Sequence, residues 1–274
     1  MIKKVWKTFA GIEEVPAIIG SVTIYFLIFM TCLSLQRLSK KLLPKSLYVF
    51  AADFFITLAI CSYPYGHGTT RQLYGHTGYL VAAVPLVMLT LQYFDGCASP
   101  LGVFIKFLKG EETAGKFAKR VVVQIMAAFL SWWLVLLVCL METTSHHKQL
   151  LRRTMCATDL KVSVTMGFVI EFAGVLFDVW LSAFRLFENS FLDRGIKVLN
   201  SCLLVCGGVH LTGMYMHPAM ASGMSWACEG TSTLEHLFVY WCAPFLGCYL
   251  GLVLKSGQIL GIHNVFDKSL KKNE

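Results

Sequence analysis

The sequence predicts an all-α polytopic membrane protein. Two inverted three-helix repeats, each carrying a re-entrant half-helix, follow an extra N-terminal hydrophobic segment. Three observations predict this. First, 56% of the 274 residues are hydrophobic and 15% are charged, whereas a soluble domain carries about 25% charge. Second, charge-poor stretches recur at the length of about 20 residues that a spanning helix needs. Third, no Asp, Glu, Lys or Arg lies between Lys197 and Glu229, yet Gly207-Gly208, Gly213 and Pro218 interrupt that window. It is too long for one span and too short for two spans with a loop. One helix followed by a half-helix fits, because non-helical backbone at membrane depth is tolerated where protein or a water-filled cavity covers it.

Taken in order, the segments run from about Pro16 to Gln36, from Leu47 to Tyr63 with Asp53 inside, between Arg71 and Asp95, and between Arg120 and Glu142. They continue from about Val162 to Phe184 with Glu171 and Asp178 inside, then after Lys197, and last between Glu235 and Lys255. The counterpart of the interrupted window is Gly96-Cys97-Ala98-Ser99-Pro100-Leu101-Gly102. At an offset of 118 residues, Asp53-Phe54 falls on Glu171-Phe172, and Ser99-Pro100-Leu101 falls on His217-Pro218-Ala219. An odd number of spans per half requires the second half to enter from the opposite side, and inverted repeats with paired broken helices place a site near the midplane. The expected organisation is 1–46, hydrophobic segment and basic loop; 47–141, first repeat; 142–163, connecting loop; 164–256, second repeat; 257–274, cytosolic tail.

Lysine and arginine are enriched in cytoplasmic loops. Arg37, Lys40, Lys41 and Lys45, then Lys106 to Arg120, then Arg185, Arg194 and Lys197, and finally the tail all fall on one side. The loop with Lys148, Arg152, Arg153 and Lys161 is the exception. This clustering accounts for the net charge of +8 without a nucleic-acid partner. The first segment is an anchor by its length, with a cleaved signal or a re-entrant segment as alternatives. Most of the ten cysteines sit inside apolar runs as small hydrophobes. Cys156 and Cys228 lie in or near polar connections, where an oxidising lumen would allow them to pair. No nucleophile–base pair, metal cluster or phosphate loop is visible, so no enzymatic step and no cofactor are expected. His146-His147 reads as a solvated pair, and Gly66-His67-Gly68 as a turn. The terminal Lys271-Lys272-Asn273-Glu274 resembles a dilysine retrieval signal to the endoplasmic reticulum, a receptor-read address.

The architecture and the local sequence resemble the aquaporin family and its hourglass fold, over roughly residues 47 to 255. Thr212 to Ala219 is similar to the family's second signature, in which Asn-Pro-Ala opens a half-helix. Val239-Tyr240-Trp241 through Gly247 is similar to its last helix, and Gln124 stands where its third helix commonly carries Gln. Cys228, nine residues after Ala219, and the apolar Met220 in place of arginine resemble the unorthodox, endomembrane branch. Ser99 and His217 depart from the family's asparagines.

The resemblance implies a homotetramer in a lipid bilayer that passes water or small neutral solutes, glycerol and hydrogen peroxide among them. It also implies that Asp53 and Glu171 accept hydrogen bonds from the re-entrant loops. Pore motifs would be Ser99, Pro100, Leu101 and His217, Pro218, Ala219, with two half-helix N-termini facing each other; each carries about half a positive charge, which repels cations and orients water. Counting from the motifs places an outer constriction at Tyr79, Val205, Met214 and Met220. His217 is either a titratable gate or a neutral ring bonded to a backbone carbonyl. The rivals are a secondary transporter coupled through Asp53 and Glu171, and a non-transporting scaffold.

Overall fold

The computed structural model describes residues 17–140 and 156–256. His146-His147, Arg152, Arg153 and the tail with Lys271 and Lys272 lie outside them. The described residues form nine helices: α1 (Ala17–Leu42), α2 (Lys45–Ser62), α3 (Pro64–Tyr93), α4 (Pro100–Leu108), α5 (Ala114–Cys139), α6 (Val164–Ser182), α7 (Ser190–Gly208), α8 (Pro218–Ser225) and α9 (Thr233–Ser256). Five helical segments among the described residues are long and apolar enough to cross a membrane: Ile19–Leu42, Lys45–Tyr93, Ala114–Cys139, Val164–Ser182 and Thr233–Ser256. The protein is an all-α polytopic membrane protein.

Lys45–Tyr93 counts 49 residues. Straight, it would reach about 74 Å at 1.5 Å per residue, more than twice the roughly 30 Å hydrocarbon core. It folds back instead. Gly75 takes φ +65°, ψ −162°, outside helical space, and Tyr63 Oη meets Thr90 Oγ1 at 2.9 Å across the hairpin.

Two compact units emerge, one holding the chain up to Gly96 with Met126–Cys156, the other Cys97–Ile125 with the chain from Ala157 on. In the first, α1 packs against α2 and α3. Gln36, 2% exposed, donates from Nε2 to the carbonyls of Ala52 and Asp95, each at 3.0 Å, and its Oε1 accepts the Asp95 N–H at 3.0 Å. Lys40 and Tyr48 donate to the Asp95 carboxylate at 2.8 and 2.6 Å. Those bonds hold its carboxyl below the usual aspartate range, so their contribution is present above that range and is lost as pH falls through the lowered value. Gly96 follows at φ +99°, and a Cβ there would stand 2.8 Å from the Ala52 carbonyl carbon and 2.9 Å from Asp53 Oδ1. The loop ahead of α4 is thus pinned to α2 from one side and to α1 from the other.

In the second unit, α6 and α9 pack closely because Gly247 and Gly251 present no side chain. A Cβ at either would lie 2.5 Å from the Phe172 carbonyl or 2.8 Å from that of Leu176. Small residues four apart let membrane helices approach in this way. A π-helical stretch, Phe238–Cys242, interrupts α9. Several helices begin earlier than the charge-free windows suggest: α3 at Pro64 rather than after Arg71, α5 at Ala114 rather than after Arg120, and α7 at Ser190 rather than after Lys197. The first helix runs on to Leu42, its basic Lys40 and Lys41 lying in the last turn where cations suit the helix dipole. Gly207-Gly208 does not break α7, which continues through Gly208.

Replacing Gln36 with leucine strands a buried N–H and two carbonyls, at about 1–3 kcal/mol for each buried group left unpaired. The Gln36→Leu protein in detergent is expected to unfold well below the wild-type midpoint. A midpoint within one degree of wild type would disprove the clamp.

Candidate functional site

Two short helices define the site. Ser99 caps α4, its Oγ accepting the Leu101 N–H at 3.3 Å, and Pro100 occupies the first turn. His217 caps α8, its Nδ1 accepting the Met220 N–H at 3.1 Å, and Pro218 follows. Proline suits a first helical turn because the N–H it lacks has no helical partner there. Serine is a favoured cap; histidine serves here through an imidazole lone pair.

The two N-termini meet. His217 Nε2 donates to the Ala98 carbonyl at 2.7 Å, one residue before the Ser99 cap. Since Nδ1 accepts from Met220, the ring proton sits on Nε2, and the imidazole is neutral with both nitrogens committed. A second proton on Nδ1 would point at the Met220 N–H, donor against donor, and would undo the cap. Of the two readings of His217, the geometry holds the neutral ring bonded to a backbone carbonyl. Leu101, Pro218 and Ala219 are buried around the junction.

The approach to α8 is held by Glu171, which is fully buried on α6. Its Oε1 accepts from Thr212 Oγ1 at 2.8 Å and from the Tyr215 N–H at 3.1 Å, and its Oε2 from the Met216 N–H at 2.9 Å. Met214 and Met216 sit at positive φ, 41° and 48°, at about 1–2 kcal/mol each. Three hydrogen bonds, about 1 kcal/mol each, offset that cost. Tyr240 Oη on α9 donates to the Thr212 carbonyl at 2.8 Å. Asp53, also fully buried, lies against Gly96 at the approach to α4. Gln124 Nε2 donates to the Cys97 carbonyl at 2.8 Å.

The four constriction candidates are placed as follows. Tyr79 is 9% exposed on α3. Val205 lies half-buried on α7, and Met220 half-buried in the first turn of α8. Met214, 5% exposed, wedges between α6 and α7, where a Cβ on Gly174 would meet its Cε at 2.0 Å and one on Gly208 its Sδ at 2.6 Å. Cys156 and Cys228 are both disulfide-bonded, and the other eight cysteines form no disulfide.

Sequence reasoning missed two residues. Gln36 was available as a lone amide in an apolar run. His67 belongs to α3 rather than to a solvated turn, which corrects the reading of Gly66-His67-Gly68. Its ring packs among Tyr25, Tyr63 and Tyr79 at 5.1, 6.4 and 5.2 Å between centroids; helix-breaking glycines on either side hid it.

Comparison with known proteins finds similar chains under one name. The human protein "Putative aquaporin-12B" is 27% identical, with 87% of this chain and 80% of that protein aligned. Mouse "Aquaporin-12" is 25% identical over 87% and 86%, and rat "Aquaporin-11" is 23% identical over 79% and 81%. No family model matches.

The two roles of His217, cap and bridge, separate by substitution. His217→Leu removes both and is expected to cost about 2–3 kcal/mol, read as a lower thermal midpoint in detergent. His217→Asn keeps a good cap and recovers part of that loss. Equal midpoints for the two variants would refute the assignment.

Proposed function

We propose that the chain is a member of the aquaporin family, of the branch that holds aquaporin-11 and aquaporin-12, and that it is a passive channel for water and small uncharged solutes, glycerol and hydrogen peroxide included, in an intracellular membrane. The observation that carries this reading is the meeting of the two half-helix N-termini at Ala98 and His217. Two positive helix ends in one place repel cations and orient a water oxygen. Ser99, Pro100, Leu101, His217, Pro218 and Ala219 form the pore motifs in this reading, and Asp53 and Glu171 brace the loops behind them. The neutral His217 adds no charge and leaves the helix ends as the barrier to cations.

The repeat of acid, helix, capped half-helix and helix at an offset of 118 residues supports an inverted duplication. The proposed constriction of Tyr79, Val205, Met214 and Met220 contains no cation. An apolar opening of that kind favours solutes larger than water and gives no foothold to ions. Glu171 commits both carboxylate oxygens to the loop, which argues against a coupling role in a transporter. A homotetramer is the assembly that the family implies. Lys271 and Lys272 support residence in the endoplasmic reticulum.

Two experiments test this. Purified protein in liposomes should accelerate both osmotic water flux and glycerol uptake. Met220→Arg, which introduces a bulky cation into the constriction, should suppress glycerol while sparing water. Liposomes with correctly inserted protein but no flux above lipid alone would leave only the scaffold reading. Separately, replacing Lys271 and Lys272 with serine should move the protein from the endoplasmic reticulum to later compartments, followed by microscopy. An unchanged distribution would rule out retrieval.

A further inference from the structure

The connection between α6 and α7 wears its polarity inside out. Leu186, Phe187, Phe191 and Leu192 are exposed, Phe191 by 67% and Leu192 by 53%. The charges beside them turn inward. Asp193 and Lys197 pair at 2.7 Å, with side chains only 17% and 21% exposed. Asp193 Oδ1 also accepts the N–H groups of Leu186 and Phe187 at 2.6 and 3.2 Å. Arg185 folds back on the loop, donating from Nη2 to the Glu188 carbonyl at 2.7 Å and from Nε to the Phe187 carbonyl at 3.4 Å. Asn189 Oδ1 accepts the N–H groups of Phe191 and Leu192. Water selects the opposite arrangement, with charge outside and large apolar groups within.

Two spans of the same unit fix where this loop lies. α6 ends at Ser182, and Phe184 follows two residues on. Rings line that end, Phe177 to Trp180 at 5.8 Å between centroids and Trp180 to Phe184 at 5.3 Å. Tryptophan gathers where hydrocarbon meets water. Lys255, in the last turn of α9, holds its ammonium 3.8 Å from the centroid of the Phe184 ring. A lysine whose stem lies on apolar surface keeps its charge at the level of the headgroups. The pattern is particular to this loop. From Phe94 to Val121, across the α4–α5 connection, no large apolar side chain is exposed among the described residues; Lys109 and Glu111 face outward there instead.

We propose that the α6–α7 connection is an interfacial membrane anchor, with Phe187, Phe191 and Leu192 seated among the phospholipids of the nearer leaflet and Lys255 at the depth of their phosphates. A loop set in that layer must satisfy its own backbone, because little water reaches it. The bonds from Asp193, Arg185 and Asn189 do so along the loop. The bilayer already abuts both flanking helices, so the apolar side chains leave water without any further partner. This role holds whether or not the chain conducts.

The test uses the full chain in liposomes of phosphatidylcholine and phosphatidylserine, with two readouts. In the first, a spin label is attached to Phe187→Cys, Phe191→Cys or Leu192→Cys, and for reference to Glu111→Cys on the α4–α5 connection. Cys206 and Cys242, the native thiols that are not buried, are replaced by serine. Oxygen, which partitions into lipid, should relax the labels at 187, 191 and 192 more than a water-soluble nickel chelate does, and the order should reverse at 111. The second readout leaves the sequence untouched. A phospholipid carrying a photoactivatable diazirine high on its acyl chain should label the segment 183–197, located by mass spectrometry, and spare 109–113. Relaxation dominated by nickel at 187, 191 and 192 would put the loop in water and overturn the proposal. Protection from both agents would mean that protein, such as a second copy of this chain, covers the loop, and would overturn it equally. Labelling of 183–197 no stronger than that of 109–113 refutes the anchor without recourse to any variant.

Discussion

A backbone group within a bilayer has no water to fall back on, and the second half of this protein answers that constraint with one carboxylate. Glu171 collects a hydroxyl and two amides from a loop whose backbone twice enters left-handed space. The loop aims His217 at Ala98, so the junction of the half-helices depends on Glu171 being in place. Glu171 in turn depends on α6, which is set against α9 by the bare backbones of Gly247 and Gly251. Tyr240 closes the circuit from α9 by taking the Thr212 carbonyl. Helix packing, loop conformation and the half-helix junction are therefore one connected assembly.

The first half meets the same demand with different chemistry. Its loop presents both an N–H and a carbonyl at Asp95, and a carboxylate can only accept. An amide can do both, and Gln36 does. That amide arrives on α1, outside the repeated part of the chain. The extra helix is thus tied into the re-entrant loop and contributes Tyr25 to the His67 cluster, which is more than an anchor would need.

Most of the fold was legible in the sequence because hydrocarbon imposes coarse rules. Charge-poor windows gave the apolar stretch of each long helix, and the glycines and prolines of the uncharged window gave α8. Gly75 was not recognised as the reversal point, since only its left-handed φ separates the two arms of the hairpin. The site was legible in part. Ser99-Pro100 and His217-Pro218 stand out by their offset, and Asp53 and Glu171 by their cost in lipid. Counting from a motif nominated Met214 for a constriction but could not foresee that Gly174 and Gly208 would receive its side chain, because that contact joins three separate elements. Gln36 and His67 escaped for the same reason: each acquires its role from a partner distant in sequence, Asp95 in one case and Tyr25 in the other.

The π-helical stretch at Phe238–Cys242 bears on how residues may be matched between this chain and its relatives. There the Ala243 N–H reaches back five residues to the Phe238 carbonyl, which inserts the equivalent of one residue into the winding of α9. Each residue turns a helix by about 100°. Downstream of Cys242 every side chain is therefore rotated by about that angle relative to an uninterrupted helix. Gly247 and Gly251 face α6 only in this rotated phase. A gap-free alignment with a protein whose last helix winds evenly would pair lipid-facing positions with packed ones from Ala243 onward, although the letters on either side matched well.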